Sequence, residues 1–244
     1  MSNKNDPYEI LCYGDSNTWG TIAKWNVLQK EGRYDRNTRW PCILQKELGQ
    51  DYAVTEEGLG GRTTVYNAQP ESPYKNGLYM FDGVLRSHRP IDLVILMLGT
   101  NDLHMSERLP EERLDAGMRQ LVDIVQHRPE CGRGGERAPA VLIIAPTAVI
   151  PSSPEGRTEV YAAFFGEYGE RLSRRFPEVY GKLAEEMGCY FLNAQEYAHA
   201  DPGDGVHITG DSHIRLGKAV AEKVRQIRAA EECEKRKECA YEGR

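Results

Sequence analysis

The sequence predicts an α/β fold built on a parallel sheet of five strands. Five short apolar runs alternate with segments in which apolar residues recur at helical spacing. This alternation is typical of parallel sheets, and the strand order that we expect is the flavodoxin-like order 2-1-3-4-5. The predicted strands are 8–13, 52–56, 92–98, 140–145 and 189–193. Three of these runs end in polar turns, and ligands bind at the carboxyl ends of such strands.

The predicted helices lie between these strands, with the last one closing the chain. Pro41 near the start of one helix and Gly49 after its end are typical helix boundary signals. Pro177 is expected to interrupt a long helix, and 147–157 is expected to form a wall over the strand ends. The helices are predicted at 39–49, 78–88, 110–127, 158–187 and from about 209 or 211 onward.

Length and composition favour one globular domain over residues 1–244, ending in a charged, solvated helical segment from about residue 230. The hydrophobic fraction is 40% and the charged fraction 28%, as in soluble globular proteins. A net charge of -6 argues against nucleic-acid binding and against binding to anionic membranes. No apolar stretch reaches the length of a membrane span, and residues 1–7 lack the apolar segment of a secretory signal. We therefore expect a cytoplasmic protein.

The six cysteines form no C-x-x-C pair, so neither a disulfide scaffold nor a zinc site is expected. Asp211 and His213 lie close to His207 in sequence, which makes a metal cluster conceivable. Asp211 is better explained as a cap of the last helix, and His213 as a residue of its first turn. The sequence thus predicts no metal and no cofactor.

The first strand runs into the polar turn 14–17, which places the hydroxyl of Ser16 at the end of a buried strand. On this turn alone, the simpler interpretation is that Asp15 or Ser16 caps the following helix. Three further segments change this balance, namely the polar ends of strands two and three and the loop that carries Asp204 and His207. Together with the turn at 14–17, all four segments are expected at one sheet edge.

The residue types at this edge suit acyl transfer. That chemistry needs a hydroxyl nucleophile, a base, and a group that orients the base, and Ser16, His207 and Asp204 supply these in turn. It also needs donors near the carbonyl oxygen, where negative charge develops. The side-chain amide of Asn101 and the backbone N–H of Gly61 offer such donors.

These blocks resemble those of the SGNH (GDSL-type) hydrolases. The resemblance rests on 14–16, on the Gly-Gly pair before 62–64, on 99–102 and on the Asp-x-x-His of 204–207. Their order and spread match that family across essentially the whole chain. The resemblance implies a three-layer α/β/α sandwich and hydrolysis of an ester or thioester without a metal.

Position by position, the resemblance implies that Ser16 is the nucleophile, His207 the general base and Asp204 its orienter. The oxyanion hole would consist of the N–H groups of Ser16 and Gly61 and the side chain of Asn101. The expected reaction is hydrolysis, or alcoholysis, of a small-molecule, short-chain carboxylic ester through an acyl-enzyme on Ser16.

Segments 14–20, 39–40, 56–64 and 96–102 are more closely similar to the mycobacterial arylesterase/acyltransferase branch. Asn17 replaces the leucine that is usual there after the serine, Gly61 stands where that branch tends to have alanine, and 147–180 shows no convincing match. Members of that branch tend to form homo-oligomers, so a homo-oligomer is expected here as well.

Three residues near the strand ends are candidates for substrate binding, namely Trp19, Arg62 and Tyr66. Aromatic side chains at such positions also commonly belong to the core. The main rival function is a flavodoxin-like module that binds a phosphate or nucleotide in its first loop. That reading leaves Asp204 and His207 without a role. An α/β-hydrolase is disfavoured because no G-x-S-x-G elbow surrounds Ser16.

Overall fold

The structure is a computed structural model that describes residues 6–23, 32–67, 71–104, 109–151 and 166–242. Its centre is a five-stranded sheet in the order β2-β1-β3-β4-β5. All four neighbouring pairs are parallel, which confirms the predicted sheet and strand order. The strands are β1 Tyr8–Gly14, β2 Tyr52–Gly58, β3 Leu93–Met97, β4 Ala140–Ala145 and β5 Tyr190–Asn193.

Seven α-helices flank the sheet within the described ranges. They are α1 Ser16–Trp19, α2 Trp40–Leu48, α3 Gly77–Ser87, α4 Ala116–Gln126, α5 Gly166–Ser173, α6 Phe176–Glu186 and α7 Gly210–Glu242. None of the helices in this part of the chain is long and apolar enough to span a bilayer.

Two predicted helices differ from the structure. The segment 110–127 begins as a 3₁₀ turn, Glu111–Arg113, and becomes α-helical only at Ala116. The long helix expected over 158–187 is interrupted, as predicted, but the break lies at 174–175, just before Phe176, and not at Pro177 itself. Pro177 lies in the first turn of α6, where a missing N–H removes no intrahelical bond. The range 152–165, which includes much of the predicted wall, lies outside the described residues.

Helices cover both faces of the sheet because its strands carry apolar side chains on both sides. Leu11 and Tyr13 of β1 belong to one core with α3, α4 and α6. Ile10 and Cys12 point to the opposite core, which contains α2 and α7. The molecule is therefore a three-layer α/β/α sandwich.

The register of the central strands determines where the polar turns meet. Gly14 at the end of β1 pairs with Gly58 at the end of β2 and with Met97 at the end of β3. Three neighbouring strands thus end at one level, and the turns that follow them converge at the carboxyl edge of the sheet.

Candidate active site

The turn after β1 holds Ser16 in a nearly buried position at this edge. Asp15 has extended backbone angles and caps α1, since its carboxylate accepts the N–H of Asn17 at 2.8 Å. Ser16 is the first residue of α1 and is 8% exposed. Asp15 therefore caps the helix, as the sequence suggested, while the Ser16 hydroxyl is not used for capping.

Gly14 permits this turn because no side chain fits at its position. A Cβ atom there would lie 2.0 Å from the Thr18 hydroxyl and 2.9 Å from the Met97 carbonyl oxygen. The absence of a side chain lets Thr18 of α1 pack directly onto the end of β1.

Ser16, His207 and Asp204 form a chain of hydrogen bonds. The Nε2 atom of His207 lies 3.0 Å from the Ser16 hydroxyl, and its Nδ1 atom lies 2.6 Å from a carboxylate oxygen of Asp204. With Nδ1 protonated toward Asp204, Nε2 is free to accept the serine proton.

The loop around Asp204 is held by its own backbone. The second oxygen of Asp204 accepts the N–H groups of Val206 and His207, each at 2.9 Å. Burial by itself would raise the pKa of Asp204, but hydrogen bonds from the His207 ring and from these two N–H groups outweigh it and lower the pKa below its ordinary value. Asp204 is therefore a carboxylate at neutral pH and is hydrogen-bonded to Nδ1 of the imidazole.

Gly61 and Asn101 lie on the two neighbouring turns. Gly61 has a φ of 75°, which favours glycine, and the side chain of Lys75 packs where a Cβ would project. The amide nitrogen of Asn101 donates to the carbonyl oxygen of Arg62 at 3.0 Å. Asn101 thus contacts the loop that contains Gly61.

A second contact ties the same two turns together. A carboxylate oxygen of Asp102 accepts the N–H of Thr64 at 2.8 Å, and the other accepts the Thr64 hydroxyl at 2.6 Å. Both side chains are buried. This bidentate contact fixes the turn after β3 relative to the turn after β2.

Of the three predicted substrate-binding residues, Arg62 is directed into the protein. Its guanidinium lies 4.0 Å from the centre of the Tyr13 ring, donates to the Gly14 carbonyl oxygen at 2.8 Å, and also bonds the Glu57 carbonyl. The Arg62 side chain therefore braces the turn that carries Ser16.

Trp19 and Tyr66 are half-buried. The carbonyl oxygen of Trp19 accepts from Arg33, whose guanidinium stacks over its indole ring. Tyr66 packs against the core that contains α3 and α4. Substrate contact by Trp19, Arg62 or Tyr66 stays a prediction.

Sequence reasoning did not assign a role to Asn17. Its side chain is buried and bonds the backbone on both sides of His207, at Val206 and at Ile208. The sequence did hold one signal for this role, since Asn17 stands where similar sequences carry leucine. A polar side chain at such a position requires hydrogen-bond partners when it is buried.

The start of α7 differs in detail from the prediction. The hydroxyl of Thr209, rather than Asp211, accepts an N–H of the first turn, that of Ser212 at 3.2 Å. His213 is completely buried and its Nδ1 accepts the N–H of Trp40 at 3.3 Å. Burial lowers the pKa of His213 to about 3, so its ring is neutral. Within the described ranges, no group of three or more His, Cys, Asp or Glu side chains is placed to hold a metal ion.

A serine hydroxyl, an imidazole and a carboxylate linked in this order form the constellation that serine hydrolases use. Residues 12–219 match the GDSL-like Lipase/Acylhydrolase family. The chain therefore belongs to this family, and it is a carboxylic ester hydrolase with an SGNH-type fold.

Solved structures agree with this family membership. The M. smegmatis aryl esterase is 36% identical, with a TM-score of 0.80 over 89% of this chain and 98% of that one. Est24, a carbohydrate acetylesterase from Sinorhizobium meliloti, is 34% identical, with a TM-score of 0.82 over 90% of this chain and 99% of that one. A further carbohydrate acetylesterase family member from the same organism is 32% identical, with a TM-score of 0.79 over 89% and 97% of the two chains.

A search of curated protein sequences finds no match. The resemblance to the arylesterase branch is confirmed by the structural neighbours. The flavodoxin-like phosphate-binding alternative is not favoured, because the family match and these neighbours all point to ester hydrolysis.

Proposed function

We propose that Ser16 is the nucleophile of this esterase, with His207 as general base and Asp204 as its orienting carboxylate. The observation that carries this proposal is the continuous link from the Ser16 hydroxyl to Nε2 of His207 at 3.0 Å and from Nδ1 to Asp204 at 2.6 Å. A base must lie within hydrogen-bond reach of the proton that it removes, and His207 meets this requirement.

In the first half-reaction, the Ser16 oxygen attacks the ester carbonyl while His207 takes its proton. The tetrahedral intermediate then collapses, His207 returns the proton to the departing alcohol, and the acyl group remains on Ser16. In the second half-reaction, His207 deprotonates a water molecule that attacks the acyl carbon. The bond between that carbon and the Ser16 oxygen then breaks, and His207 returns the proton to Ser16, which releases the carboxylic acid. An alcohol in place of water would give a new ester by the same steps.

Three donors are proposed to stabilise the negative charge on the carbonyl oxygen. Ser16 is the first residue of α1, where the N–H has no intrahelical acceptor. In the described part of the chain, the N–H of Gly61 donates no hydrogen bond. Asn101 uses one amide hydrogen on the Arg62 carbonyl and retains a second one for the substrate.

The proposed substrates are small esters with short acyl groups, such as aryl acetates and acetylated sugars. Support comes from the names of two similar proteins, an aryl esterase and a carbohydrate acetylesterase. We also propose that Trp19 and Tyr66 line the substrate cleft, because both follow strand ends at the edge that carries Ser16.

The test is a chain-length series of p-nitrophenyl esters, measured with and without added alcohol, on the wild-type protein and on Ser16→Ala. We expect the shortest acyl groups to react fastest and Ser16→Ala to lower kcat by several orders of magnitude, as loss of a triad nucleophile does. A serine-directed aryl phosphonate should label Ser16 in the wild type. Near-native turnover by a folded Ser16→Ala protein would remove Ser16 from the mechanism.

We further propose a homo-oligomer. Three large side chains on neighbouring positions are exposed, namely Tyr74, Tyr79 and Met80, at 50%, 69% and 46%. Tyr74 directly precedes Lys75, whose side chain packs against Gly61, so an interface here would border the turn that carries Gly61. Light scattering coupled to size exclusion would show an oligomer that Tyr79→Glu weakens, whereas a monomer at all concentrations would contradict this proposal. A cytoplasmic location and the absence of nucleic-acid partners stay predictions from the sequence.

A further inference from the structure

We propose that Asn17 is a positioning residue that sets the alignment of His207 with Ser16. This inference rests on the proposed function, in which His207 is the general base. The observation behind it is that one side-chain amide, directly after the nucleophile, bonds the backbone on both sides of the base.

The side-chain amide of Asn17 holds the backbone around His207 through two hydrogen bonds. The amide nitrogen of Asn17 donates to the carbonyl oxygen of Val206 at 3.3 Å, and its amide oxygen accepts the N–H of Ile208 at 3.0 Å. Val206 and Ile208 are the immediate neighbours of His207 in sequence. Both ends of a planar group are engaged, so the His207 backbone is held in position and in orientation.

The backbone of Asn17 is itself held by a hydrogen bond. Asn17 belongs to α1, and its own N–H donates to the buried carboxylate of Asp15 at 2.8 Å. The side chain is 3% exposed. Asn17 therefore joins the turn that carries Ser16 to the loop that carries His207, and these segments are 191 residues apart where Asn17 meets Ile208.

Asn17 and Asp204 do different things to the same imidazole. Asp204 lies on the loop of His207 and determines which way the ring faces, through a bond of 2.6 Å to Nδ1. It does not link that loop to Ser16. Asn17 does, and it thereby controls the separation of the Ser16 hydroxyl from Nε2. A displacement of about 1 Å between reacting groups can lower a rate by ~10²-fold.

The test compares the wild type with Asn17→Leu, which keeps the approximate shape and removes both hydrogen bonds. We expect kcat to fall by roughly 10- to 100-fold with KM little changed, because proton transfer rather than substrate binding is impaired. Rates are normalised to active sites titrated with an aryl phosphonate. The rate constant for phosphonylation of Ser16 should fall by a similar factor, since it needs the same Ser16–His207 pair.

Gln45→Leu is the matched control. The amide of Gln45 also bridges backbone groups, donating to Tyr52 at 2.9 Å and accepting from Val54 at 2.8 Å. It does so at the opposite end of β2 from Gly58. Its loss should lower the melting temperature and leave kcat unchanged. An equal fall of kcat in Gln45→Leu would show that destabilisation alone explains the effect and would overturn the proposal.

Asn17→Ala covers the case in which Asn17→Leu does not fold, because the space that it leaves can admit a water to the two backbone groups. Asn17→Ala removes both direct hydrogen bonds of the side-chain amide and should lower kcat in the same way. Native kcat in a folded variant, an effect on KM alone, or loss of folded protein in both variants would each overturn the positioning role. The proposed function fails separately, through an active Ser16→Ala.

Discussion

Asn101 carries two amide hydrogens, and the direction of the second depends on what the first one bonds. That hydrogen bonds the Arg62 carbonyl oxygen at 3.0 Å, next to Gly61 in sequence. This bond restricts the amide plane and leaves the second hydrogen in a defined direction. A donor held before the reaction starts stabilises a developing oxyanion without reorganisation.

Replacing Asn101 by alanine should therefore act on the chemical step. We expect Asn101→Ala to lower kcat on the order of 10²–10³-fold with little change in KM, as removal of one oxyanion donor does. Initial rates with p-nitrophenyl acetate would measure this. A change confined to KM would make Asn101 a ground-state binding residue, and loss of folded protein would make it a structural turn residue.

Asp15 is a second residue whose behaviour follows from burial. Desolvation raises its pKa from 3.8 to about 6, although the Asn17 N–H and the charges of His207 and Arg62 favour the carboxylate. Because the folded pKa lies above the unfolded one, the folded state binds more protons between pH 4 and 6. The free energy of unfolding therefore decreases as pH rises through this window, and the full decrease is present above about pH 6.

Asp15→Asn should remove this loss of stability, because the amide carries no charge, while it keeps an oxygen that accepts the N–H of Asn17. We expect the variant to be more stable than wild type at pH 8, on the order of 2 kcal/mol, and to show no such gain below about pH 4. Urea unfolding at both pH values would test this. Asp35→Asn is the control, since Asp35 is exposed and accepts the N–H of Asn37 at 2.9 Å in the same way. Equal effects of the two changes at pH 8 would contradict the prediction.

At the scale of elements, one ion pair joins the start of α2 to β2. Arg39, which precedes α2, donates to both carboxylate oxygens of Glu56 at 2.9 Å, and it also donates to the Tyr34 carbonyl. Its side chain is 7% exposed and that of Glu56 is 19% exposed. A nearly buried guanidinium of this kind depends on its partner, because an unpaired buried charge is strongly unfavourable.

Glu56→Ala should consequently lower the free energy of unfolding by about 3 kcal/mol, the range reported when one partner of a buried pair is removed. Glu222→Ala is the comparison, since the Glu222–Arg225 pair on α7 is largely exposed. Its effect should stay below about 1 kcal/mol. Denaturant unfolding of both variants would show a large difference, and similar small losses would contradict the interpretation of Arg39.

At the scale of the whole molecule, the sheet brings together residues that are distant in sequence. Ser16 follows β1, whereas Asp204 and His207 lie on the loop between β5 and α7. The proposed triad uses only these three side chains for its proton transfers. No step of that mechanism calls on a metal ion.

Ester hydrolysis should therefore survive exhaustive treatment with EDTA. His207→Ala should lower kcat by on the order of 10⁶-fold and Asp204→Asn by on the order of 10⁴-fold, because supplying the base matters more than orienting it. Inactivation by the chelator, with recovery on adding zinc or manganese, would contradict the proposed triad. The candidate metal ligands would then be Asp204, His207, Asp211 and His213.

Much of the fold is predictable because its signals are local. The apolar runs of β3 and β4 and the boundary residues Pro41 and Gly49 act over a few neighbouring positions, and the structure places those elements within a residue or two of prediction. The break before α6 was misplaced, since Pro177 signals both a helix start and a helix interruption. Only the surrounding chain decides between the two.

The sequence by itself determined the five strands, the polar turns that follow them, and the residues suited to acyl transfer, because periodicity and turn chemistry are properties of short segments. Only the tertiary structure decided which of those side chains meet and what each holds. Arg62 turns inward to the Gly14 carbonyl, and Asn17 reaches Val206 and Ile208. Hydrogen bonds need partners within about 3 Å in the right direction, and only packing the whole sheet between its two helical layers brings these groups that close.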